Sequence, residues 1–374
     1  MLFRSEHGIN KEKYAMTMEN INERWKILSL EEIEERYKEN FTWVKNVEER
    51  TDTLTKINMA YDQSVKRLVI AKSTCYREKD INEGRIEERR EYLRQQLNIL
   101  NDISSMLLPE PLDWFKTVND NFEGEYSISE PILILDYIPG TDLRSKIKEK
   151  VFIDEFGKVQ VNRIIKLCRK ILAFLKVLEE KGYGVVGLSD EHIIILNDDV
   201  PRFVGLSHIC KMREGYLDIG HLNFERTIYG YSAPELNDYS SNARFNIKGR
   251  QVGAFSLGVL MHQMICSRNK FTSSDIKGGA FVYPNATTGD FIIEINNKSY
   301  KGKLLHMLIT DLCRHEVTER LMDYDEIERR LMEIEEADDG DIYRVKPIRN
   351  STIHIHRQNK KGFLDKLKEI LGLN

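Results

Sequence analysis

Residues 185–195 read VVGLSDEHIII and residues 203–211 read FVGLSHICK, two near-copies of one phrase. In both, an apolar step runs into Gly-Leu-Ser, with the glycines at Gly187 and Gly205. What these glycines mean depends on the chain around them. Upstream, VNRIIKLCRKILAFLKVLEEKGY (161–183) carries apolar residues on most faces at helical spacing and reads as a buried helix. Downstream, AFSLGVLMHQMI (254–265) reads the same way. Between and beyond them lie GYSAPEL (230–236) and HEVTERL (315–321), while residues 268–303, rich in Asn, Ser, Thr and Gly, read as a loop or insertion.

The N-terminal part has a different grain. Residues 1 to about 40 read as polar and helical, with a capping box at Ser29-Leu30-Glu31-Glu32 and Leu30, Ile33 and Tyr37 recurring at helical spacing. LTKINMAYD (54–62), a turn around Gln63-Ser64 and KRLVIAKST (66–74) are rich in β-branched residues and read as strands. RIEERREYLRQQLNILNDI (85–103) is a charged helix that places Leu93, Leu97 and Leu100 on one face. A β-segment around Trp114 and the strand PILILDYI (131–138) follow, closed by Pro139-Gly140. At the far end EADDGD (336–341) reads as a linker, STIHIHRQ (351–358) alternates, and GFLDKLKEILGLN (362–374) is an amphipathic helix.

Composition narrows the classes. The 374 residues carry 41% hydrophobic and 31% charged residues, an ordinary globular mix able to bury a core in one large domain or two lobes. The net charge of -4 lacks the basic surplus of a nucleic-acid binder. No apolar run reaches the ~20 residues of a membrane span, and MLFRSEHGINKEK has no signal-peptide core, so a cytoplasmic protein without a transmembrane segment is expected. Five scattered cysteines without a C-x-x-C pair fit free thiols.

Several phrases, taken in order, resemble the eukaryotic-type protein kinase fold over roughly residues 43–335. VIAK at Val69–Lys72 is similar to the kinase V-A-I-K strand, LILDYIPGTDL at Leu133 to the hinge, and Ala233-Pro234-Glu235 to A-P-E. FSLGVLMHQMI resembles the central helix of the large lobe, and Arg320 stands where the family pairs an arginine with the A-P-E glutamate. The resemblance implies an α+β, bilobal protein kinase-like fold. A small β-rich N-terminal lobe with one long helix would span 43–138, and a larger, mainly helical lobe 139–336. Residues 1–42 would be a helical extension, and 337–374 a linker and amphipathic tail.

Phosphoryl transfer needs positioning and charge neutralisation more than covalent help, so each position that supplies them can be examined. The glycine loop should precede VIAK by roughly fifteen residues, yet no glycine lies between Gly8 and Gly84, and Glu48, Glu49 and Asp52 would repel phosphate there. Lys72 matches the kinase lysine, but its helix partner aligns with Gln96, and Glu91 is a weak substitute. In the catalytic loop Gly187 stands for the general-base aspartate and His192 for the metal-binding asparagine. Gly205 stands for the D-F-G aspartate, and Gly253 for the aspartate that braces the loop from the central helix. Ile70 adds volume where the family keeps a small residue against adenine; with Lys72, Asp136 and Asp142 it would line a vestigial ATP pocket. Packing positions survive: Leu100, Val185 and Leu206 for an internal hydrophobic spine, and Glu235 with Arg320 for a buried ion pair.

The resemblance, with these losses, implies a catalytically inactive pseudokinase that binds a protein partner, with no catalytic residue, no metal site, no ATP or magnesium cofactor and no nucleic-acid ligand. Helix 362–374, with Phe363, Leu367, Ile370 and Leu371 among lysines, could dock on a partner or a membrane surface, or pack on its own domain. The alternative is an atypical nucleotide-binding phosphotransferase that uses Lys72 and a relocated carboxylate, Asp190 or Glu191. A nucleotide sensor without turnover is a third possibility. His354 and His356 share one strand face, too few ligands for a metal site on their own.

Overall fold

In the computed structural model, residues 24–29, 31, 32, 35, 55–74, 84–103, 105–119, 128–218, 228, 230–237, 246–266, 276, 277, 280, 281, 299–337 and 342 are described. Among the described residues the first element is a strand, β1 (Trp25–Ile27), within the stretch 1–42 where a helical extension was expected. It pairs antiparallel with residues 60–62. Trp25 explains the difference. Its ring is buried against the sheet and its Nε1 donates to Asp113 Oδ2 at 3.0 Å, a site no solvated helix would offer. The capping box stands just after it. Ser29 N–H donates to Glu32 Oε2 at 3.1 Å, and Glu32 N–H to Ser29 Oγ at 3.3 Å.

Next come β2 (Thr55–Asp62) and β3 (Arg67–Thr74), an antiparallel hairpin whose turn Asp62 organises. The Asp62 carboxylate accepts from Ser64 N–H and Oγ and pairs with Arg24. Helix α1 (Ile86–Asp102) follows, then β4 (Pro111–Asn119) and β5 (Ile128–Asp136). The five strands form one antiparallel sheet in the order β1-β2-β3-β5-β4. Alternation along the strands sorts side chains by face. Met59, Ile70, Leu133 and Leu135 join the main core with Leu93 and Leu100 of α1. Ala60, Val69, Ala71, Ile132 and Ile134 form a smaller cluster with Trp25.

The remainder is mostly helical. β6 (Thr141–Asp142) leads into α2 (Leu143–Lys148) and α3 (Val161–Glu180). Short strands follow: β7 (Tyr183–Val185), β8 (Ile193–Ile195), β9 (Pro201–Phe203), β10 (Ile209–Arg213) and β11 (Tyr216–Leu217). They make two three-stranded sheets, β6-β8-β9 and β11-β10-β7. Helix α4 (Gly249–Cys266) buries every side chain except that of Arg250, as its apolar sequence demands. Within the expected loop 268–303 the described residues include a two-strand pair, β12 (Ile276–Lys277) and β13 (Ala280–Phe281). Helix α5 (Tyr300–Leu312) also begins there, capped by Ser299, and α6 (Tyr324–Glu336) is capped by Asp323. α3 keeps a charged face with Arg163, Lys166, Arg169 and Lys170, so it is amphipathic and not enclosed on all sides. Phe174 of α3 stacks on Phe203 of β9, ring centroids 3.8 Å apart.

The molecule is thus a mixed α+β fold built on antiparallel sheets. Its first compact unit runs from Met1 to Arg344. Ile342 belongs to it: the side chain is buried and its carbonyl accepts from Val159 N–H at 2.7 Å. Residues 345–374 form a second unit, and His354, His356 and the tail helix 362–374 lie outside the described residues. Among the described residues no helix is long and apolar enough to cross a membrane.

Candidate functional site

The two quoted phrases lie side by side. β7 pairs with β10 through Val185 and Ile209, β8 with β9 through Ile193 and Phe203, and Val204 N–H donates to His192 C=O at 2.9 Å. Gly187 follows β7 and Gly205 follows β9, so both glycines sit in the turns that leave short, buried strands.

Each glycine faces a neighbour that fills the room a side chain would need. A Cβ at Gly187 would stand 2.6 Å from Ser232 Oγ, well inside contact distance. That hydroxyl is fixed, accepting from Ile228 N–H at 2.7 Å and donating to Val186 C=O at 2.5 Å. A Cβ at Gly205 would meet the imidazole of His192 and lie 2.6 Å from its Cβ. The His192 ring is held by Ser189 Oγ at 3.0 Å and stacks on His208, centroids 4.5 Å apart. A Cβ at Gly253, on α4, would meet the hydroxyl of the buried Tyr324.

Lys72, only 4% exposed, donates to Gln96 Oε1 at 3.3 Å and to Val204 C=O at 3.1 Å. The sequence placed Gln96 opposite the lysine, and the structure brings the two together. Glu91 pairs with Arg94 at 2.9 Å. Ile70 is buried between Met59 and Leu135 on the neighbouring strands. Asp136 accepts from Glu110 N–H and faces Arg202 at 3.6 Å; burial raises its carboxyl above the usual range. Asp142 is the N-cap of α2, accepting from Ser145 N–H at 2.9 Å and Ser145 Oγ at 3.0 Å.

Asp190 and Glu191 converge on one guanidinium. Arg144 reaches Asp190 Oδ1 with Nε at 3.2 Å and Nη2 at 3.1 Å, and its Nη1 pairs with Glu191. Burial pushes the Asp190 carboxyl up while Arg144 works against that shift. Tyr231, whose hydroxyl donates to Gln263 at 2.9 Å, lies against the same carboxylate. Arg144 and Ser232 were missed in the sequence. The only available signal was a cation two residues beyond the cap Asp142, which says nothing of a partner at 190.

No protein-family model matches this chain, and no curated protein does. What the site can do therefore has to come from its chemistry. Among the described residues no group of three or more His, Cys, Asp or Glu could hold a metal ion. Glu235 and Arg320 form a bidentate ion pair at 2.7 and 3.0 Å. The same guanidinium donates to the carbonyls of Arg314, His315 and Gln251. That saturation suits a group whose side chain is fully buried.

Proposed function

We propose that this chain is a pseudokinase, a kinase-shaped module without phosphotransfer that serves as a protein-binding scaffold. The order of elements supports the kinase likeness: an antiparallel five-stranded sheet, a long helix facing the lysine strand, then a mainly helical remainder. The observation that carries the inactive reading is the filled space at Gly187, Gly205 and Gly253. These positions have lost their carboxylates and also the room to hold one.

A magnesium-bound nucleotide does not fit the residues present. Magnesium requires oxygen ligands in near-octahedral array. The positions that would supply them are His192 and Gly205, and the general-base position is Gly187. Lys72 is already bonded to an amide oxygen and a backbone carbonyl, and Ile70 takes core volume beside it. The enzyme alternative would need Asp190 or Glu191 to leave Arg144, exposing a buried guanidinium–carboxylate pair; such a loss costs roughly 3–5 kcal/mol.

The test is thermal unfolding with ATP and Mg²⁺ or Mn²⁺, beside affinity purification from the native host. A ligand at a hundred times its Kd stabilises by ~2.7 kcal/mol. No shift is expected, together with a stoichiometric protein partner. A shift abolished by Lys72→Ala would overturn the inactive reading, and the absence of any partner would overturn the scaffold.

A further inference from the structure

The five-stranded sheet has a second face with a core of its own. Ala60, Val69, Ala71, Ile132 and Ile134 are each at most 2% exposed, while α1 packs on the opposite side. Among the described residues their apolar cover is Trp25 with the half-buried Ile27, Leu112 and Phe115. Trp25 belongs to β1 and Asp113 to β4, the two edges of the sheet. Strands lie ~4.8 Å apart, so in a flat sheet these edges would stand ~19 Å from each other. Yet Trp25 Nε1 donates to Asp113 Oδ2 at 3.0 Å. The sheet is therefore rolled, with its edges drawn together across this face. A bulge in β4 makes the bond possible. Pro111 pairs with Leu135 and Asp113 with Ile134, so Leu112 is an extra residue. Without it, Asp113 would stand opposite Leu133 and point toward α1.

We propose that Trp25 is a pin between the two edges of the sheet, and that residues 24–28 are a strap that keeps the sheet rolled over its second core. The strap is tied to β2 and its turn. Arg24 pairs with Asp62 at 3.1 Å and lies over the Trp25 ring, 4.3 Å from its centroid. Gln63 N–H donates to Arg24 C=O at 2.8 Å, and Leu28 N–H to Met59 C=O at 3.1 Å. The Trp25–Asp113 bond reaches past these to β4, and so couples the strap to the far edge. At 3% exposure the indole has little water to replace that acceptor, and losing it leaves a buried N–H unmet. Loosening at one edge is therefore felt at the other. The pin concerns how the sheet is held and does not depend on whether the chain has a partner or an activity.

Hydrogen exchange on the full-length chain tests it. Asp113→Ala removes the acceptor on β4 and should speed exchange across the sheet, at 25–28. The expected factor is about five- to tenfold, the loss of one net hydrogen bond or slightly more. Trp25→Phe keeps an apolar ring and removes the donor; it should speed exchange at 113–118 by a similar factor. Amides of α4 should keep their wild-type rates. The double variant should exceed neither single variant by more than experimental error. Asp113→Asn retains a side-chain oxygen and should restore most of the protection at 25–28. Should Trp25→Phe not fold, the two Asp113 variants read the same peptides. Wild-type rates at 25–28 in Asp113→Ala would overturn the pin, as would Asp113→Asn exchanging as fast as Asp113→Ala. Equal acceleration in α4 would do so too, since that is the signature of a general packing loss.

Discussion

At Gly205 one methyl group decides whether any side chain, such as the aspartate that the kinase resemblance expects, is excluded by its neighbours. The added carbon would meet the His192 ring, which cannot swing away without leaving Ser189 and His208. Overpacking of this kind costs ~1–3 kcal/mol. Gly205→Ala should therefore lower stability by that amount in urea unfolding, and His192→Ala in the same chain should recover part of it. An additive double variant would mean that the ring is not the obstacle. Asp62 gives a second residue-scale test. Burial opposes its ionisation, yet hydrogen bonds from Arg24 and from Ser64 and Val65 win, holding its carboxyl down at about 2. An unfolded aspartate titrates near ~3.9. The folded value is the lower, so the stabilisation is fully present above the unfolded value and is lost as pH falls toward 2. Asp62→Asn should be less stable than wild type at pH 6, and the gap should narrow steadily between about pH 4 and pH 2. A gap that persists at pH 2 would assign the loss to packing.

At the scale of elements, one ion pair fixes a segment that has little regular structure of its own. Glu235 lies in a single 3-10 turn, and Arg320 ties it to α4 and to residues 314–315. Glu235→Ala leaves a guanidinium with no exposed side-chain surface facing one fewer anion, and should cost about 3 kcal/mol in chemical denaturation. A cost under ~1 kcal/mol, as at an exposed pair, would show the segment to be held otherwise. The same scale shows what could be read in advance. The capping box at Ser29, the turn at 63–64, the helix face through Leu93 and Leu100 and the all-apolar α4 follow from local rules of period and capping. β1 could not be found that way: three residues carry no period, and Trp25 becomes a strand residue only because Asp113 and the sheet receive it. The glycines at 187, 205 and 253 were visible, but what fills the space beside them was not. Ser232, His192 and Tyr324 arrive from tertiary packing, as does Arg144 beside Asp190. Lys72 and Gln96 were legible as a pair because they flank one strand–helix unit, whereas the Val204 carbonyl was not.

Over the whole molecule Gly187, His192 and Gly205 are crowded by fixed neighbours, so on the pseudokinase proposal simple substitution back to kinase residues fails. His192 stands where the kinase resemblance expects a metal-binding asparagine and also fills the space at Gly205; His192→Asn supplies an amide oxygen but keeps the Cβ and Cγ that crowd that glycine. On the pseudokinase proposal, the variant Gly187→Asp, His192→Asn, Gly205→Asp is the direct attempt to supply the base and the metal ligands. At 187 too, the new carboxylate collides with a neighbour, the Ser232 hydroxyl that bridges Ile228 and Val186. Arg144 stays committed to Asp190 and Glu191, Lys72 to Gln96 and Val204, and Ile70 to the core. Two new carboxylates without a cation also repel each other and bear the desolvation cost of burial. The triple variant should be less stable than wild type by about 2 kcal/mol or more, through the clashes at 187 and 205, and ATP with Mg²⁺ should leave its melting temperature unmoved. Adding Ser232→Ala should return part of the stability without conferring nucleotide binding, because Lys72 and Ile70 remain as they were. If the triple variant instead gained a magnesium-dependent ATP shift, the fold would be a few side chains from a working phosphate site, and the neighbours filling those three glycine positions would be incidental packing.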